Sequence, residues 1–92
     1  MPFSIVKVIY EDYEKWKNAF DQFAEERKKA SAKGWRVFTT MGNRNEAWIL
    51  MEIDDPPKFK AFMESPELQE RMKASGITGP AERYILQHEF DG

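Results

Sequence analysis

Cysteine is absent from these 92 residues. Disulfide staples and thiolate metal sites are thereby excluded, and a reducing compartment suits the chain. Histidine occurs once, at position 88, so a metal would need a cage of carboxylates, and the acids are scattered over helix surfaces. No metal and no cofactor are expected. An excess of one charge sign is missing as well: 14 basic against 16 acidic residues, interspersed, give a net charge of −2 and no field suited to nucleic acid or an anionic membrane. No apolar run approaches the ~20 residues of a membrane span, and "MPFSIVKVIY" has no charged stretch ahead of a long apolar one. A cytoplasmic protein is expected, with neither nucleic acid nor membrane as partner. The glycines of "GITGP" are not followed by a helix in the manner of a phosphate cradle, which removes nucleotide binding.

What is present is apolar and aromatic. With 41% hydrophobic and 14% aromatic residues the chain suits one compact domain over residues 1–92, too short for two cores. "SIVKVIY" (4–10) is β-branched and reads as a strand. Asp12 then caps a long amphipathic helix in which Tyr13, Trp16, Phe20, Phe23 and Ala30 recur at three- and four-residue steps. Arg27, Lys28, Lys29 and Lys33 crowd its end, where cations complement exposed carbonyls, and Gly34 supplies a left-handed cap. The same placement makes "ERKKASAKGWR" a solvated helix end, not a phosphate or RNA patch. "WRVFTTM" and "EAWILMEI" flank "GNRN" as a hairpin. Asp55 before Pro56 opens a second helical region, which Ser65 and Pro66 reopen with a kink. After "GITGP", "AERYILQHEF" (81–90) is the last strand. The order β-α-β-β-α-β is α+β and ferredoxin-like, with a four-stranded antiparallel sheet.

"AWILMEI" (47–53) has too many apolar residues for a strand with one wet face. Pairing Arg36 with Glu52, Phe38 with Leu50 and Thr40 with Trp48 sorts the hairpin by parity. One face carries Trp35, Val37, Met41, Ala47, Ile49, Met51 and Ile53 and suits the helices. The other carries Phe38, Trp48 and Leu50 among Arg36, Thr40 and Glu52, and Lys7 joins it because Val6 and Val8 face the helices. Leaving three large apolar side chains in water forgoes on the order of 6 kcal/mol, a large share of a small domain's stability. A second copy of the chain, packed sheet face to sheet face, is the symmetric solution. Lys7, Arg36, Thr40, Trp48 and Glu52 are then the candidate ligand-binding residues. The cations would hold an anionic or enolate oxygen, Glu52 would move a proton, and Trp48 would stack on a ring of a small aromatic or acidic metabolite. A cross-strand Arg36–Glu52 ion pair with Trp48 filling the interface accounts for the same residues without a ligand. For His88, on the parity of Tyr84, Leu86 and Phe90, an edge-of-core or solvent position is expected.

"DYEKWKNAFDQF", "NEAWILMEIDD" and "FMESPELQERMKASGITGPAERYIL" together resemble the dimeric α+β barrel superfamily, in particular its antibiotic-biosynthesis-monooxygenase-like branch. The resemblance implies that two ferredoxin-like subunits join their sheets into a homodimeric barrel around a cavity. It implies a cofactor-independent oxygenase, cyclase or isomerase acting on a small cyclic metabolite in that barrel cavity; the alternative is a non-catalytic small-molecule-binding or oligomerisation module, and the residues leave that choice open. The haem-degrading members need an asparagine on the first strand and a histidine on the second helix. "SIVKVIY" and "PPKFKAFMESPELQERMKAS" supply neither. No catalytic residue carries over from the quinone-forming members.

Overall fold

The computed structural model describes residues 2–92. The chain runs β1 (Pro2–Ile9), α1 (Tyr13–Gln22), α2 (Ala24–Lys29), β2 (Ala32–Thr40), β3 (Asn43–Ile53), α3 (Pro56–Met63), α4 (Pro66–Ala74) and β4 (Glu82–Gln87). The strands form one antiparallel sheet in the order β2-β3-β1-β4. Val6 and Val8 of β1 and Ala47, Ile49, Met51 and Ile53 of β3 pack against Trp16, Phe23, Phe59, Met63 and Leu68 from the helices to make the core. This is the ferredoxin-like α+β arrangement expected from the order of elements.

Local chemistry sets the helix starts. The Asp12 carboxylate accepts from the Glu14 N–H, Asp55 from the Lys58 N–H and the Ser65 hydroxyl from the Leu68 N–H. Each satisfies a donor that the first helical turn leaves without a partner. Pro56 and Pro66 stand at first helical positions, where the missing N–H costs nothing. The expected kink at Ser65 is a full break between α3 and α4.

Four expectations are corrected. The long first helix divides at Phe23, whose backbone (φ −96°, ψ 10°) leaves the helical range and whose N–H tightens onto Phe20 and Asp21 carbonyls. The left-handed residue after α2 is Ser31 (φ 84°), not Gly34, which lies inside β2. Ser31 is held there because its hydroxyl donates to the Asp55 carbonyl and accepts from the Asp55 N–H, both at 3.1 Å, tying the end of α2 to the start of α3. The hairpin turns at Met41-Gly42, with Gly42 at φ 86°, so β3 starts at Asn43 and the pairing shifts by two residues. Arg36 stands opposite Leu50, Phe38 opposite Trp48 and Gly34 opposite Glu52. An even shift preserves which side chains share a face, so the parity assignment survives while the Arg36–Glu52 pair does not form. Finally, β4 stops at Gln87, which stands opposite Pro2, the first described residue of β1.

"AWILMEI" divides as parity requires. Ala47, Ile49, Met51 and Ile53 are buried beneath the helices, while Trp48, Leu50 and Glu52 look out from the other side. Coverage of the helix-facing side fails at the free edge of β2, where Val37 is 38% exposed, and Met41 in the hairpin turn is 100% exposed. The outer sheet face is broader than the hairpin alone suggested. Phe3, Ile5 and Ile9 of β1 and Tyr84 and Leu86 of β4 share it with Phe38, Trp48 and Leu50.

Candidate functional site

The strand register brings the residues proposed from sequence onto that outer face. Lys7 pairs across the ladder with Trp48, and its Nζ lies 5.5 Å from the Trp48 ring centroid and 3.2 Å from a Glu82 carboxylate oxygen. The Trp48 indole N–H donates to Thr40 Oγ1 at 2.9 Å, and the Thr40 hydroxyl donates to Glu46 at 2.7 Å. Lys7, Trp48 and Thr40 therefore form one connected group. Arg36 and Glu52 are exposed on the same face, separated along the ladder by the two-residue shift. His88 lies beyond the sheet, exposed, with Nε2 at 2.7 Å from Asp91.

A cavity of about 290 Å³ opens on the opposite side, between the helices and the sheet. Val6, Val8, Ile49 and Met51 form its floor, α1 contributes Trp16, Ala19 and Phe20, and Phe62, Met63, Leu68 and Met72 close it from α3 and α4. None of the five residues proposed from sequence lines it. The lining is aromatic and aliphatic, with Gln22, Arg27, Arg71 and Ser75 as its polar members. Concave, mainly apolar walls with few polar groups are what small cyclic ligands need. Tyr10, beneath the Trp16 ring, stacks on it at 4.9 Å and 7° between planes, and burial raises its phenol above the ordinary range.

Arg27 was expected at a solvated helix end, and the structure corrects this. It is 4% exposed. Its guanidinium carbon lies 3.7 Å from the Phe20 ring centroid and 4.2 Å from that of Trp35, two rings that meet edge to face. Nη1 donates to the Phe20 carbonyl at 2.6 Å. Nε and Nη2 are buried without a partner; among the described residues only the Ser4 hydroxyl shares that condition. Burial pulls the Arg27 pKa down to about 10, which leaves it cationic at neutral pH. Its place was legible in the spacing. Trp16, Phe20, Phe23 and Ala30 form a stripe whose three- and four-residue steps pass through position 27.

Among the described residues no three histidine, cysteine or carboxylate side chains converge as a metal site, and no helix is long and apolar enough to cross a membrane. No family model and no curated protein sequence matches the chain. Solved structures do. The cofactor-independent oxygenase SnoaB from Streptomyces nogalater superposes with a TM-score of 0.74 at 11% identity, over 98% of this chain and 93% of its own. The chain has the fold of the antibiotic biosynthesis monooxygenases. A Bordetella bronchiseptica protein provisionally assigned to them gives a TM-score of 0.80 at 12% identity, with 97% of each chain covered. A conserved protein from Methanosarcina mazei Go1 gives 0.72 at 16% identity, over 97% of this chain and 94% of its own.

Proposed function

We propose that the protein is a cytoplasmic homodimer that binds a small planar cyclic metabolite in the cavity between helices and sheet and acts on it without a resident cofactor, as an oxygenase, cyclase or isomerase. The observation that carries this reading is the aromatic and aliphatic cavity of about 290 Å³, in a fold shared with an oxygenase that works without cofactor. A flat ring system gains from every wall of such a cavity by apolar burial and ring contact. Cofactor-free oxygenation suits it because an electron-rich, deprotonated ring can itself give electrons to dioxygen, leaving the protein to bind, orient and exclude water. Lys7, Arg36, Thr40, Trp48 and Glu52 do not line that cavity; they are proposed as a separate ligand-binding set at the joined sheet faces, where a partner subunit would enclose them.

A second reading has one specific observation behind it. No lining residue is a carboxylate, imidazole or thiol, so the cavity lacks a conventional proton acceptor. A non-catalytic small-molecule-binding module fits that lining. Quenching of Trp16 fluorescence by neutral bicyclic and tricyclic phenols and anthrones tests the cavity. Ala19→Trp, which puts an indole into the same space, should abolish the response. A wild type indifferent to the whole panel defeats both readings. Oxygen uptake with a bound anthrone, accompanied by incorporation of label from dioxygen, selects the oxygenase; tight binding with no turnover on any panel member selects the binding module.

A further inference from the structure

We propose that Arg27 is a carboxylate anchor, and that the ligand of the cavity between helices and sheet is a planar cyclic carboxylic acid. The inference rests on the reading of that cavity as a ligand site and adds the group by which the ligand is held. Arg27 lines the cavity and is 4% exposed. Its orientation is set on three sides, by the Nη1 bond to the Phe20 carbonyl at 2.6 Å and by the Phe20 and Trp35 rings at 3.7 and 4.2 Å. What remains is Nε and Nη2, and both lack a partner. These two nitrogens form one edge of the planar guanidinium, whose N–H groups point out side by side and match the two oxygens of a carboxylate.

No acid of the chain takes that place: Arg27 is in none of the ion pairs found among the described residues. Asp21 and Glu26 attract the guanidinium only from a distance; a buried cation with no carboxylate in contact is costly, and buried donors are nearly always matched. Stacking on Phe20 and Trp35 accounts for the faces of the guanidinium but leaves its Nε–Nη2 edge buried and unpartnered. A neutral ketone or phenol oxygen has lone pairs for both donors but leaves the charge without a counter-ion. A carboxylate satisfies all three. Arg71, the other cation of the lining, sits exposed with its guanidinium carbon 5.0 Å from the Phe23 ring, so Arg27 is the buried cation of the lining.

Isothermal titration calorimetry at neutral pH with 2-naphthoate and the isosteric, neutral 2-naphthamide separates the anchor from the apolar walls. The wild type should bind the acid at least about tenfold more tightly than the amide, as expected for a charge-assisted bidentate pair out of water. Arg27→Met should bring the two affinities together, and Arg27→Lys, which keeps charge but loses the fork, should recover only part of the gap. Equal affinity of acid and amide for the wild type overturns the carboxylate assignment, whatever the variants do, and leaves the cavity as a ligand site. A gap that persists in a folded Arg27→Met moves the anchor to another residue and overturns this one. Failure of the wild type to bind either compound overturns the cavity reading together with the anchor.

Discussion

Arg27 carries a trade between stability and binding that a substitution can expose. Replacing it with methionine removes a charge-assisted hydrogen bond to Phe20 and the ring contacts, together worth about 3–5 kcal/mol. The same change removes two buried donors without partners, each costing about 1–3 kcal/mol, and fills similar space with an apolar chain. The two sides nearly cancel. Arg27→Met should therefore unfold in urea within about 1 kcal/mol of the wild type, whereas Arg27→Ala, which leaves a void under Phe20 and Trp35, should lose about 3 kcal/mol. A methionine variant as unstable as the alanine variant would mean that the guanidinium is structural and its unpartnered edge incidental. The residue escaped the sequence because arginine at a helix end has a sufficient explanation in the exposed carbonyls, and only the apolar stripe contradicts it.

At the scale of elements, caps and parity were legible and turns were not. Asp12, Asp55 and Ser65 act where the sequence placed them, because a capping oxygen and the N–H that donates to it lie within three residues. The alternation of strand β3 sorted its two faces correctly because side-chain period depends on the strand alone. The hairpin register depends on which residues turn, and "GNRN" hid the turn at Met41-Gly42. The end of α2 was misplaced for a related reason: Gly34 is the conventional left-handed residue, but the conformation is held at Ser31 by a partner 24 residues away. Local sequence cannot report that partner. Ser31→Gly relieves the left-handed backbone yet loses both bonds to Asp55, and Ser31→Ala loses the bonds and keeps the strain. Chemical denaturation should find Ser31→Ala down by about 2–3 kcal/mol and Ser31→Gly by about 1 kcal/mol less. The reverse order would show that the left-handed backbone costs nothing at this position, and a Ser31→Gly variant as stable as wild type would show that the backbone conformation, not the hydroxyl, decides the site.

The whole molecule presents two apolar features on opposite sides of one sheet, and they differ in what completes them. The cavity beneath the helices is walled by one chain. The outer face, with Ile9 45%, Phe38 53%, Tyr84 62% and Leu86 41% exposed, is covered by none of the described residues. Contiguous apolar surface of this kind marks an interface, and in a chain of this length the added burial matters because the core alone is small. The charged members do not prevent closure: Lys7 is already neutralised by Glu82 at 3.2 Å and stacked on Trp48, and the exposed Arg36 and Glu52 remain free for a partner. The proposed homodimer uses this face, so sedimentation equilibrium should find the wild type dimeric at micromolar concentration. Leu50→Asp, which puts a carboxylate in the middle of this apolar face, should be monomeric with an unchanged circular dichroism spectrum. The monomer should still bind 2-naphthamide within about threefold of wild type, since no lining residue of the cavity lies on the outer face. A monomeric wild type would leave "AWILMEI" without its second cover. A monomeric Leu50→Asp that loses the ligand would mean that the two sides of the sheet are coupled, and that the cavity takes its working shape only when the outer face is closed.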